Sequence, residues 1–160
     1  MRKLISALKT DWSIRPWWMS LLFYFCVYMT FLYLPFDLFL KPIAEDHEIW
    51  FGFAVTGWWA KATEPVHWLI YGAGTYGFWR MRSWMWPWAA AYGAQVTIAM
   101  LVWNIINPNG GGWTAGLIAA AVFAVVTIAL WRAIRQHHPG AGPNQWRTAT
   151  LMMLWEVVLY

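Results

Sequence analysis

Three stretches of the chain, 17–36, 84–103 and 113–131, run for about twenty residues with almost no charge, and a fourth, 62–79, is apolar but interrupted by polar and small residues. A helix rises about 1.5 Å per residue, so about twenty apolar residues cross the roughly 30 Å of a bilayer's hydrocarbon core. The pattern therefore predicts an all-α integral membrane protein with four transmembrane helices. In the first stretch only Ser20 and Thr30 interrupt the apolar run. Its basic flank, Arg2, Lys3, Lys9 and Arg15 against Asp11, resembles the start of a secretory signal. The run is longer than a signal's apolar core and no Ala-x-Ala site follows, so an uncleaved first helix is expected.

Two further segments are apolar but short. Residues 49–60 would reach only about 18 Å as a helix and carry Trp50, Trp58 and Trp59, residues that favour the headgroup level. They are expected to form an extra outer interfacial or re-entrant segment. Residues 146–160, beyond the linker His137–Pro143, are expected to form an apolar C-terminal tail helix that lies in the interface or docks on another subunit, because Glu156 would otherwise enter hydrocarbon.

Charge orients the chain. With four spans, Arg2, Lys3, Lys9, Arg15, Arg80, Arg82, Arg132, Arg135 and Arg147 share one side and only Lys41 and Lys61 the other, nine against two. Counting 49–60 as a fifth span gives five against six, which discards the asymmetry expected of cytoplasmic loops. A multi-pass protein of the plasma (inner) membrane with both termini cytoplasmic follows. Arg80–Ser83 is then a four-residue cytoplasmic turn. Pro65 falls in the first turn of span two and Pro87 in that of span three, where a missing N–H costs nothing. Asn104–Gly112 breaks the chain between spans three and four.

Composition agrees: 61% of residues are hydrophobic, 11% are charged, and there are 16 Trp, many at span ends. The net charge of +4 is explained by orientation, so no nucleic-acid partner is implied. Cys26 is the only cysteine, which excludes an intrachain disulfide and any multi-thiolate metal site.

Small residues let membrane helices approach closely. Span two has Ala73 and Gly77, span three Ala89, Gly93, Ala90 and Ala94, and span four Gly116, Ala120 and Ala124, so these three are expected to pack together. Span one, rich in Phe23, Tyr24, Phe25, Tyr28, Phe31 and Tyr33, is expected to cover them or face a partner. Residues Gly72–Gly77 spell GxGxxG, but inside an apolar helix and without an acid some twenty residues on, so packing rather than nucleotide binding is expected.

Candidate chemistry gathers on the outer face. Glu64 and His67 have ExxH spacing on one helical face, and the acidic run Glu45, Asp46, His47 and Glu48 lies on the same predicted side. A divalent metal, Zn or Cu, held by Glu45, Asp46, His47, Glu64 and His67 is one possibility. A tetrapyrrole or quinone beside His67, Trp68 and Tyr71 is another, with Gln95, mid-way along span three, as a further polar contact. Asp37 is expected to be an interfacial cap. No hydrolase, zincin or P-loop pattern is present, so no enzyme is indicated. The leading expectation is an accessory or assembly subunit of a larger membrane complex, with other membrane subunits or a homo-oligomer as partners beside the lipid bilayer. The alternatives are a ligand-binding membrane protein holding a pigment, quinone or metal near the outer face, and a small transporter.

Overall fold

The computed structural model describes residues 15–50, 52–107 and 113–137, together with Arg147 and Leu151; the expected tail helix otherwise lies outside these residues. The chain is mostly helical. Helix α1 (Trp17–Tyr28) passes through a π-helical turn (Met29–Tyr33) into α2 (Leu34–Phe39). A 3-10 turn (Ile43–Glu45) leads to an antiparallel hairpin of β1 (His47–Trp50) and β2 (Phe53–Thr56), followed by α3 (Trp58–Trp79), α4 (Met85–Ile106) and α5 (Trp113–His137). Three helices are long and apolar enough to cross a membrane: Trp17–Phe39, Met85–Ile106 and Trp113–Gln136. Their outer faces expose large apolar side chains, among them Leu21, Phe31, Leu117 and Val125, as contact with lipid requires.

The stretch 49–60, expected as an outer interfacial or re-entrant segment, is divided between this hairpin and the start of α3 and does not form a short helix of its own. The hairpin's strands read His-Glu-Ile-Trp and Phe-Ala-Val-Thr, and their register pairs His47 with Thr56 and Trp50 with Phe53. Two glycines with positive φ set the boundaries. Gly52 (φ 88°) makes the turn and packs so close to α4 that a Cβ there would lie 2.6 Å from the Trp103 backbone nitrogen, and Gly57 (φ 63°) ends β2 and starts α3. The helix consequently begins four residues before the expected 62, and its 22 residues extend about 33 Å. Pro65 therefore sits inside α3 rather than in its first turn. Its missing N–H removes the usual donor to the Lys61 carbonyl, and next to it Thr63 Oγ1 donates back to the Ala60 carbonyl at 2.7 Å.

The π turn has a local cause. The Leu34 N–H reaches five residues back to the Met29 carbonyl, and Pro35 has no N–H, so the Thr30 carbonyl is left without a backbone donor. Trp68 Nε1–H from α3 supplies one at 2.8 Å, and the Thr30 and Thr75 hydroxyls meet at 3.1 Å. In hydrocarbon, where no water substitutes, these bonds tie α1 to α3.

Helix pairing differs from the expectation that spans two, three and four form one close trio. The extensive pairings are α1 with α3 and α4 with α5. The α4–α5 contact does use small residues: a Cβ on Gly93 would lie 2.6 Å from Phe123 Cβ. Between the pairs the contact is aromatic. Trp88 Nε1–H donates to the Ile70 carbonyl at 3.0 Å, the Trp88 and Tyr92 rings stack 5.8 Å apart, and the Tyr71 and Tyr92 hydroxyls are hydrogen-bonded. Bulky rings filling the space between backbones explain why α3 and α4 stay further apart than their glycines would permit. Gly74 is used for this: a Cβ there would meet Trp88 Cζ2 at 2.7 Å and Cys26 Sγ at 2.9 Å, so the glycine pattern serves packing.

The two ends of the bundle differ in charge. The antiparallel register implied by Gly93 against Phe123 and Gly116 against Leu101 puts Arg132 level with Met85, beside the turn that carries Arg80 and Arg82. Arg15 joins them, donating from Nη2 to the Trp79 carbonyl at 2.8 Å, with its guanidinium over Phe23. Met19, Phe78, Met85, Leu130 and Ile134 form the most deeply buried core near this end. The hairpin and the carboxylates occupy the other.

Candidate functional site

Four carboxylates from four separate segments converge at the hairpin end. Asp37 comes from α2, Asp46 from the base of the hairpin, Glu48 from β1 and Glu64 from the second turn of α3; each offers an oxygen within 4.8 Å of the others. The hairpin places two of them. Asp46, whose carbonyl accepts the Gly57 N–H at 2.9 Å, is held at the strand junction and is fully buried. Strand alternation then turns Glu48 and Trp50 inward and His47 and Ile49 outward.

Two lysines partly balance the charge. Lys41 Nζ lies 2.9 Å from Asp37 Oδ1 and 2.7 Å from Asp46 Oδ1, and Lys61 Nζ lies 3.2 Å from Asp46 Oδ2 while also donating to the Asp37 backbone carbonyl. The hydrogen bond to Asp46, with that to Asp37, raises the Lys41 pKa against the opposing effect of burial. Burial pushes the Asp46 carboxyl up, but the hydrogen bonds from Lys41 and Lys61 and their charges hold it below the usual range. Glu48 shifts the other way: burial, then the charge of Asp37, raises its pKa.

Glu64 has no lysine partner. It is 1% exposed, and among the described residues neither its carboxylate oxygens nor Asp37 Oδ2 accept a hydrogen bond from a lysine, amide or hydroxyl group; its neighbours are the carboxyl groups of Asp37 and Glu48, with which it interacts directly. Four ionised carboxylates against two lysines leave a net charge of −2 at a place where Asp37, Asp46 and Glu64 are buried and Glu48 is half-buried. Buried charge of that size is compensated by protons or by a cation.

Of the five residues proposed from the sequence as metal ligands, Asp46 and Glu64 lie in this cluster, while Glu45, His47 and His67 do not. Glu45 and His47 are exposed. His67, one turn beyond Glu64, points to a different neighbour, the Trp50 ring, edge-on at 5.8 Å. Without imidazole the donor set is all oxygen, a set that suits hard cations typified by Ca²⁺, Mg²⁺ and Mn²⁺ better than the Zn or Cu expected from a mixed set. Asp37, Lys41 and Lys61 were missed as members, and Glu48 was placed on the same side but not among the proposed ligands; Asp37 and Lys41 are spaced i, i+4 at a helix end, the one local signal that pairs them.

His67 and Gln95 do come together, as two sides of a cleft of about 320 Å³ that also touches Ile49, Trp103 and Asn104. Trp68 and Tyr71 do not flank His67 there: Trp68 faces Thr30, and Tyr71 is buried against Tyr92 and Phe25. The aromatic neighbours expected of a tetrapyrrole site at His67 are therefore engaged elsewhere. Comparison of the chain with protein-family models, curated proteins and solved structures finds no match.

Proposed function

We propose that this chain is a four-span membrane protein that binds one hard divalent cation in the carboxylate cluster at the hairpin end of the bundle. The observation that carries the reading is Glu64, buried with neither oxygen served by a lysine, amide or hydroxyl donor and facing three other carboxylates. A cation seated among Asp37, Glu48 and Glu64 neutralises the excess charge that Lys41 and Lys61 leave. It also joins α2, β1 and α3 at one point, where the lysine pairs reach only Asp37 and Asp46. In this reading α3 is the fourth span. Its lower hydropathy comes in part from Lys61 and Glu64, which are buried within the cluster and turned away from lipid. The arginine end is the cytoplasmic one in a plasma membrane. An impermeant thiol reagent added to cells should label His47→Cys and spare Ser83→Cys.

The test is direct titration of the purified full chain in nanodiscs with Mn²⁺, Mg²⁺ and Ca²⁺, read by calorimetry and by Mn²⁺ paramagnetic resonance. One equivalent bound by the native chain and lost in Glu64→Gln is the expected result. Absence of binding at millimolar concentrations of all three ions rejects the reading. An accessory or assembly subunit is the second reading, in which the cation braces the hairpin-bearing end against a partner; co-purification and native-size analysis with and without chelator test it.

A further inference from the structure

We infer that the cleft between α3, α4 and the hairpin is a second, separate binding site, for a neutral lipid-soluble molecule that carries a hydroxyl donor of the phenol class. The cleft's volume, about 320 Å³, lies at the lower end of the roughly 300–1,000 Å³ of small-molecule sites and accommodates a single substituted ring. Its walls are mainly apolar, with Val96, Ala99, Met100 and Trp103 along α4, and among the described residues no charged side chain lines it. That composition selects against ions and for a neutral ligand.

Gln95 decides the polar end. It lies mid-way along a helix long and apolar enough to span a membrane, and its Oε1 is buried without a hydrogen-bond donor among the described residues. A buried amide oxygen left in this state carries an unrelieved desolvation cost, and in hydrocarbon no water is at hand to relieve it. A ligand hydroxyl donating to Oε1 removes that cost, with the apolar body lying along Val96, Ala99 and Met100. His67, on the opposite wall, places an imidazole beside the same space. The sequence points to both residues separately, but only the fold sets them across one cleft.

The experiment uses the full chain in nanodiscs with a diazirine-bearing 4-alkylphenol as photoreactive probe, and maps the labelled residues by mass spectrometry. Labelling should concentrate on the α4 segment containing Met100 and Trp103. An unlabelled 4-alkylphenol should compete at about tenfold lower concentration than its methyl ether, which matches it in shape but cannot donate; tenfold corresponds to about 1.4 kcal/mol. Gln95→Leu should reduce labelling about tenfold, and Glu64→Gln should leave it unchanged, which separates this site from the cation cluster. Equal competition by the ether, or labelling spread over the lipid-facing surfaces of α1 and α5, overturns the inference. Should Gln95→Leu fail to fold, the phenol and ether comparison in the native chain still decides it.

Discussion

Replacing Glu64 with glutamine separates a structural role for the cluster from a cation-binding one, because the two roles change stability in opposite directions. At the 4.8 Å limit of the cluster, two like charges repel by about 3.5 kcal/mol at an effective dielectric of about 20. Asp37 and Asp46 have Lys41 and Lys61 within ion-pairing distance, so the uncompensated repulsion is carried chiefly by Glu48 and Glu64. Proton uptake relieves part of it, which leaves about 1–2 kcal/mol for Glu64→Gln to recover in chelator, helped by an amide N–H that can donate to a neighbouring carboxylate. For a chain of this size that corresponds to a rise in melting temperature of about 2–4 °C per kcal/mol. With saturating Mn²⁺ the order reverses. The native chain gains about 2.7 kcal/mol at a hundredfold excess over Kd, whereas the variant gains none. Thermal denaturation in nanodiscs, followed by tryptophan fluorescence with and without Mn²⁺, measures all four values. A variant less stable than the native chain in chelator, or one that keeps the full Mn²⁺ shift, refutes the reasoning.

Three further outcomes follow from the same structure. Cation affinity should increase as pH rises from about 4.5 through the raised pKa of Glu48, because protons compete for its carboxylate; conversely the contribution of Asp46 to stability, present above the ordinary aspartate range, should disappear as pH falls through its depressed value. Binding titrations and melting curves at pH 3–8 check both, and an affinity that falls over the upper range contradicts the assignment. Gly74→Ala should destabilise by about 1–3 kcal/mol because its Cβ would meet Trp88 and Cys26, whereas Gly72→Ala, whose nearest such neighbour is Thr30 Cγ2 at 3.9 Å, should be neutral or stabilising; equal effects in denaturation would show that the glycine pattern is not read by packing. Trp68→Phe should cost about 1–2 kcal/mol by leaving the Thr30 carbonyl without its donor, and hydrogen exchange at Leu34 should then quicken, an effect absent in Trp17→Phe.

Runs of apolar residues decide whether a segment belongs in lipid, since that depends on length and composition alone, and for this reason Trp17–Phe39, Met85–Ile106 and Trp113–Gln136 were legible in the sequence to within a few residues. The separation of arginines from carboxylates along the chain was legible too, as was the need to account for Asp46 and Glu64. The β-hairpin was not. Its residues are as apolar as a short helix, and what makes them strands is the docking of the Gly52 turn against Val102 and Trp103, a contact between segments fifty residues apart. The π turn has its local cause in Pro35, but the donor that serves the freed Thr30 carbonyl, Trp68 Nε1–H, comes from another helix and was not legible.

The candidate site divides in the same way. Spacing along one helix joined Glu64 to His67, but the angle between their side chains sends the first to a carboxylate cluster and the second to Trp50 and the cleft with Gln95. By itself the sequence determined which residues are costly to bury, because desolvation is a property of the side chain. Tertiary structure alone decided which of them share one space, and hence that Asp37, Asp46, Glu48 and Glu64 are neighbours while His47 is not, because electrostatic coupling depends on distance in the folded chain and not on separation along it.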